Sequence, residues 1–473
     1  MQKRWVRWAT WLVSGTAVLA LGLLAPPPSA AQAPVPVGAQ FQVNTHTTSA
    51  QFVSSVAVAA DGDFVVVWES YGSPGTDTSG FSVQGQRYAS NGSTQGAQFQ
   101  VNTYTASYQR YPSVAAAADG DFVVVWHSYG SPGTDTDYWS IQGQRYGSNG
   151  SMQGTEFQIN TYTTSSQYQA SVAADADGDF VVVWWSYGSY GTDTSVSSIQ
   201  GQRYASDGSA QAAQFQVNTY TLGQELEPSV AADADGDFVV VWRSQGSFGT
   251  DTSDSSIQGQ RYASNGSTQG GEFQVNTYTT SYQGRAFVAA DADADFVVVW
   301  RSQGSFETDT SDSSIQGQRY ASNGSTQGGE FQVNTYTTNY QGRAFVAANA
   351  DGDFVVVWES EGSYETDTSE SSIQSQRFAS DGSTQGAQFQ INTYTTSTQA
   401  DPSVAAAPDG DFVVVWESAG SPATDTSSYS IQGQRYRVTA AVPSVPAMSP
   451  AARFALVAAL LLLGAGYALR RRS

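Results

Sequence analysis

The run of apolar positions Phe-Val-Val-Val-Trp recurs along the chain with a fixed period. It ends at Trp68, Trp126, Trp184, Trp242, Trp300, Trp358 and Trp416, a constant step of 58 residues. The more alternating segments Ile-Gln-Gly-Gln-Arg-Tyr and Phe-Gln-Val-Asn-Thr keep the same step. The first places arginine at 87, 145, 203, 261, 319, 377 and 435, and the second starts at Phe41, Phe99, Phe157, Phe215, Phe273, Phe331 and Phe389. Seven copies without an insertion predict one structural unit repeated seven times.

Each unit reads as four short strands in an antiparallel meander. An Asp-Gly turn links Ser-Val-Ala-Ala to the apolar run, and Ser-Asn-Gly-Ser or Ser-Asp-Gly-Ser links the last two strands. A strand apolar at every position needs cover on both faces. The unit is too long for one solenoid turn and too short for an immunoglobulin-type domain of about 100 residues. The expected fold class is therefore all-β: a seven-bladed β-propeller over residues 38–438, with Ser-Val-Ala-Ala innermost and Phe-Gln-Val-Asn-Thr outermost. The chain opens with a lone outer strand, Gly38 to Thr45, and closes with three strands, Ser403 to Tyr436, that lack a fourth. The first strand should complete the last blade and close the ring, removing free edges.

Charge and composition narrow the function. Of 473 residues none is cysteine and 59 are aromatic, and the net charge is −22. The region between the two apolar ends holds all 42 acidic residues against 13 arginines and no lysine. Such a body repels phosphate backbones, so nucleic acid is not an expected partner. Without cysteine there is no disulfide, thiolate zinc site or thiol nucleophile. His46 and His127 fall at unlike places in the repeat, so a repeated histidine metal site is excluded.

The ends read as addresses. Residues 1–33 have the form of a signal peptide: Lys3, Arg4 and Arg7, an apolar stretch from Trp8, then Ala31-Gln32-Ala33 as the cleavage site, an uncut anchor being the alternative. Residues 439–450 form a Pro/Ala linker, and 451–473 an apolar helix followed by Arg470, Arg471 and Arg472. The helix brings the membrane in as a partner, with the arginines cytoplasmic and the body outside. Val445 to Pro450, the short helix and the arginines together resemble the C-terminal sorting signals of bacterial surface proteins, the PEP-CTERM and IPTL-CTERM type, without matching either consensus cleanly. The resemblance implies export and sorting machinery as partners. It places the protein at the cell surface or outer envelope of a Gram-negative bacterium, or in the medium after C-terminal processing. A simple single-span anchor is the alternative.

Two sets of residues are candidates for binding. The hairpins carry alternating carboxylates, Asp175, Asp177 and Asp179, then Asp233, Asp235 and Asp237, then Asp291, Asp293 and Asp295, a spacing of hard oxygens that calcium loops use. Ca2+ is the cofactor they would take, and solvated turn residues are the alternative. The long loop of each unit carries Thr-Asp-Thr, with Asp77, Asp135, Asp193, Asp251, Asp309, Asp367 and Asp425, beside variable aromatics including Tyr138 and Trp139. Carboxylates with aromatics on a rigid scaffold suit sugars. Loop-ordering hydrogen bonds are the alternative.

The run Ala232 to Trp242, with Ile257 to Tyr262 and Phe273 to Thr277, resembles repeats of large bacterial secreted and surface proteins, calcium-associated adhesins among them. The resemblance implies an extracellular binding or structural role. The hairpin is also similar to the Asp-box of sialidase-like propellers, but its spacing departs from that motif. The expectation is a non-catalytic surface propeller binding an extracellular glycan or protein, not an enzyme. A polysaccharide-acting hydrolase or lyase and a purely structural module are the alternatives. Departures from the repeat, namely Arg110-Tyr111, His127, Asp137-Tyr138-Trp139, Trp185 and Glu225-Leu226-Glu227, are where an enzyme would show itself, and drift between copies explains them more simply.

Overall fold

Five consecutive apolar residues must be buried on two sides, and adjacent blades do this. In blade 1, Val65 and Val67 pack with Val83 and Val101 against Val114, Phe122, Val124 and Trp126 of blade 2. Phe64, Val66 and Trp68, on the opposite side of the same strand, pack against Val413, Val415 and Ile431 of blade 7. Each such strand alternates its allegiance between two neighbours, so the cores form a ring of seven inter-blade clusters. The buried indole of Trp68 donates to Gln51 Oε1 at 2.9 Å, satisfying its one polar atom.

This computed structural model describes residues 33–438, except 73–74, 78–79, 131–132, 136–137, 189–190, 194–195, 247–248, 250, 252–254, 305–312, 363–366, 368–369, 421–424 and 426–428. The expected signal peptide apart from Ala33, the linker and the C-terminal helix lie outside the described residues, within which no helix is long and apolar enough to cross a membrane.

The fold is the expected all-β propeller of seven four-stranded antiparallel sheets. Blade 1 runs outward from inner strand Gln51–Val58 through Phe64–Tyr71 and Phe81–Tyr88 to the two-residue outer strand Phe99–Gln100. The opening strand Val35–Gln42 pairs with Tyr429–Arg437 and supplies the fourth strand of blade 7. The seam carries the same fastenings as the other junctions. Thr393 donates through its backbone N–H to Gln40 Oε1 at 2.9 Å, as Thr45 does to Gln98 at 2.8 Å. The repeat arginine is structural: Arg87 donates to the carbonyls of Ser148 and Asn149 in the next blade.

The inner strand is longer than Ser-Val-Ala-Ala. It begins four residues earlier and is interrupted by a β-bulge, where pairing slips between Phe52 and Ser55. Every inner strand bulges at the equivalent place, and the third residue is left-handed each time: Val53, Tyr111, Gln169, Glu227, Arg285, Arg343 and Asp401, with φ between 45° and 55°. None is glycine, although left-handed backbone costs an ordinary residue about 1–2 kcal/mol.

Candidate active site at one mouth of the channel

The two faces of the ring differ. Pairing of Val58 with Phe64 puts the Asp-Gly hairpins at one face, and pairing of Gln51 with Ser70 puts the bulges and long loops at the other. The hairpin face is nearly uniform. Its mouth is a cavity of about 260 Å³ lined by alanines such as Ala60, Ala118 and Ala176, together with Asp175, Asp233 and Asp291.

At the hairpins the carboxylates hold the turns. Asp175 Oδ1 accepts from the N–H groups of Asp177 and Asp179, and Asp233 and Asp291 repeat the arrangement. Asp179, Asp237 and Asp295 accept from Ser206, Ser264 and Ser322 and from Gln211, Gln269 and Gln327. Asp177, Asp235 and Asp293 stand exposed at the tips. Among the described residues no group of three or more His, Asp or Glu is placed to hold a metal ion.

The Thr-Asp-Thr aspartates lie inside the fold. Asp77, Asp135, Asp193, Asp251, Asp367 and Asp425 are at most 2% exposed. Each receives the side-chain amide of the outer-strand asparagine at 2.9 Å, from Asn102, Asn160, Asn218, Asn276, Asn392 and Asn44 respectively. The same Asn102 accepts from Val83 N–H, so it joins loop, third strand and outer strand. These carboxylates order their loops from within; Asp309 and Asp137 lie outside the described residues.

The loop-face mouth is where the seven-fold symmetry breaks. The bulge residue projects from each inner strand, and beside it stands the residue after each tryptophan: Glu69, His127, Trp185, Arg243, Arg301, Glu359 and Glu417. Among these fourteen positions stand eight charged side chains that the sequence analysis does not single out: Glu69, Arg243, Arg285, Arg301, Arg343, Glu359, Asp401 and Glu417. The signal that finds them is alignment of the 58-residue copies position by position: both columns vary among the blades, and the second does so between a tryptophan and a serine that never change.

These side chains tie one blade to the next. Glu69 Oε1 accepts from the bulge N–H of Tyr111 at 2.6 Å, and its Oε2 pairs with Arg110 at 3.0 Å. Glu417 makes the same bond to Val53 across the seam at 2.6 Å. His127 Nδ1 accepts from Gln169 N–H at 3.3 Å, so the acceptor nitrogen must be unprotonated. Burial, helped by the Arg110 charge, pushes that imidazole down to about 3.

Three sectors result. On blades 2 and 3, His127 sits edge-on to Trp139 at 4.6 Å, Tyr168 stacks on Trp185 at 4.6 Å, and Tyr111 and Tyr187 flank them. Tyr71, Tyr129 and Tyr187, equivalent in blades 1 to 3, are exposed, as are Tyr108 and Tyr138. On blades 4 and 5, Arg243, Arg285 and Arg301 gather with Glu227 around Tyr282, and Glu227 accepts from Arg243 at 3.1 Å. At blades 6 and 7, Arg343 pairs with Glu359 at 3.7 Å and with Asp401. Burial lifts Glu359 to about 7 against the pull of Arg343. Glu417 is raised well above the carboxylate range by burial, by the Asp401 charge and by sharing a hydrogen bond with Asp401, while Val53 N–H and Arg343 oppose the rise.

The pair Glu225 and Glu227 separates into two roles. Glu225 is in the blade wall, where the other six blades have glutamine, accepting from Trp242 Nε1 at 2.8 Å and Ser244 Oγ at 3.0 Å. Only Glu227 reaches the mouth.

No family model and no curated protein matches the chain. Solved structures do match it in fold. A polysaccharide lyase, Uly1, is 10% identical with a TM-score of 0.50 over 86% of this chain and 100% of that one. A PL25 ulvan lyase is 8% identical with a TM-score of 0.46 over 83% and 95%. The α-L-arabinanase of Penicillium chrysogenum, complexed with arabinobiose, is 17% identical with a TM-score of 0.43 over 69% and 92%. At these identities the likeness is one of fold. The expectation that the chain is not an enzyme is corrected here: the fold is one that a polysaccharide lyase also has, and most of the residues set down to drift, Arg110, Tyr111, His127, Trp139, Trp185 and Glu227, converge on one asymmetric mouth.

Proposed function

We propose that the protein is a polysaccharide-cleaving enzyme, exported to the envelope or beyond it, whose active site is the loop-face mouth. The observation that carries this reading is the convergence of unlike side chains at two positions per blade, in a chain otherwise repeated seven times. Glycan cleavage needs a proton donor that is still protonated near neutrality and an ionised partner. Glu359, lifted to about 7, suits the first requirement, and Glu417, raised well above the ordinary carboxylate range by burial and by Asp401, is the second carboxyl poised for it. The exposed tyrosines with Trp139 offer flat apolar faces for the C–H side of sugar rings, and the likeness in fold to polysaccharide lyases and an arabinanase agrees.

The test is turnover. The purified body is incubated with neutral and uronate-containing polysaccharides, with new reducing ends and unsaturated products as readouts. Glu417→Gln should lower turnover by about 10²-fold or more while the protein stays folded. Turnover of none of these glycans, or full activity in Glu417→Gln and Glu359→Gln, would sink the assignment.

A further inference from the structure

The body has 13 arginines, and their placement is uneven. Seven are the repeat arginines, of which Arg87, Arg145, Arg203, Arg319 and Arg435 donate to turn carbonyls of the next blade, and Arg437 sits at the seam beside Asp411. The remaining five, Arg110, Arg243, Arg285, Arg301 and Arg343, all stand at the loop-face mouth. Three of them are matched: Arg110 by Glu69, Arg243 by Glu227, and Arg343 by Glu359 and Asp401. Arg285 and Arg301 have no carboxylate within ion-pair distance among the described residues.

Arg301 is held for contact at its edge. Its guanidinium lies 5.3 Å from the ring centre of Tyr282 and 5.1 Å from that of Tyr340, and it donates to the Tyr340 hydroxyl at 3.3 Å. Its Nε is buried with no acceptor, so its hydrogen-bonding shell is incomplete. The rings reach it because the inner strands carry glycine at the position before the bulge. A Cβ on Gly284 would collide with the Tyr282 hydroxyl, and one on Gly342 with the Tyr340 hydroxyl. Blades 1 to 4 carry Phe52, Arg110, Tyr168 and Leu226 there. Arg285 leaves the adjacent bulge, and its backbone N–H is capped by Glu227 at 3.3 Å. Two cations in a strongly acidic protein, neither in an ion pair among the described residues and one clamped between rings, suit an anion.

We infer that Arg285 and Arg301 bind the carboxylate or sulfate of an acidic sugar, so that the polysaccharide entering this mouth is anionic, with its charged unit over blades 5 and 6 and its apolar ring faces over the tyrosines and Trp139 of blades 1 to 3. This rests on the mouth being the glycan site, and it adds the substrate class. The repulsion that such a substrate meets from the body as a whole makes a local pair of unneutralised guanidiniums necessary for capture.

The experiment is a titration of the full propeller, labelled with ¹⁵N-arginine, with sodium glucuronate, sodium sulfate and glucose, following the Nε–H resonances. The resonances of Arg285 and Arg301 should move saturably with glucuronate and sulfate and stay still with glucose. Arg285→Gln combined with Arg301→Gln should weaken that binding by about tenfold or more, while Arg301→Lys keeps part of it. Neither residue holds a carboxylate, so the double variant should fold, and unchanged resonances of the repeat arginines verify this. No movement at any anion concentration, equal movement with glucose, or movement confined to the repeat arginines would overturn the inference. Turnover of a neutral glycan without anion binding would overturn it and leave the cleavage activity standing. Anion binding without turnover would do the reverse.

Discussion

Glu417 in blade 7 caps the left-handed backbone N–H of Val53 in blade 1 at 2.6 Å, and Glu69 caps that of Tyr111 one blade further on at the same distance. One relationship therefore serves as ring closure at the seam and as ordinary blade contact elsewhere. It also explains how a bulge unfavourable to non-glycine residues persists in all seven blades: the bulge frees an N–H group, and a neighbouring side chain takes it where an acceptor is present.

Glu225 gives a prediction in pH. It is buried where six blades have glutamine, and burial raises it to about 8 despite bonds from Ser244 and Trp242. A carboxyl raised in the folded state weakens folding once it must ionise. The penalty is absent below its ordinary value near 4.5 and grows as pH rises towards 8. Glu225→Gln should therefore leave the melting temperature unchanged at pH 4 and raise it at pH 9, by a gain on the order of a few kcal/mol. Equal melting curves at both pH values would refute the burial argument.

His127 should act in the opposite direction. With its imidazole held down to about 3 from 6.5, the neutral ring contributes stability above pH 6.5 that is lost as pH falls through that interval. Replacement by Gln should flatten the acid limb of the stability profile between those limits, as read by chemical denaturation.

Asn102 and its equivalents separate frame from site. Asn102→Ala removes the donor to buried Asp77 and the acceptor for Val83 N–H, and should cost about 2–4 kcal/mol. Asp77→Asn keeps an acceptor for Asn102 and should preserve glycan turnover. Loss of turnover with the fold intact would return the Thr-Asp-Thr loops to the site.

Removal of residues 33–45 should open the ring. It takes away the fourth strand of blade 7 and the bonds of Gln40 and Asn44 to Thr393, Asp425 and Ile431. The expected result is a lower melting temperature and concentration-dependent association through the exposed edge of Tyr429–Arg437, measured by sedimentation. A monomer as stable as the intact body would contradict the closure.

The frame was legible because repetition wrote it seven times. The period, the turns and the need of Val65 to Val67 for cover on both faces led to the propeller, and the phase of the ends led to the seam. The site was half legible. Arg110, Tyr111, His127, Trp185 and Glu227 stand out in the sequence as departures from the repeat, whereas Arg285, Arg343 and Asp401 do not, because the first half of the inner strand has no apolar alternation to mark it as strand. The bulge breaks that alternation just where the side chains turn toward the mouth. The Thr-Asp-Thr motif misled for the opposite reason. A polar loop looks solvent-facing in sequence, while here Asn102 draws Asp77 inward.

Blades 5 and 6 share the inner strand Gln-Gly-Arg-Ala-Phe, so the same bulge arginine stands twice in succession. Arg343 meets Glu359 and Asp401, whereas Arg285 follows a blade whose nearest acid, Glu227, is already taken by Arg243. The same side chain thus stands in two unlike settings, ion-paired at Arg343 and, among the described residues, in no ion pair at Arg285. A ring that grows by duplicating whole blades can acquire a new chemical group without inventing a residue, simply because each copy inherits different neighbours.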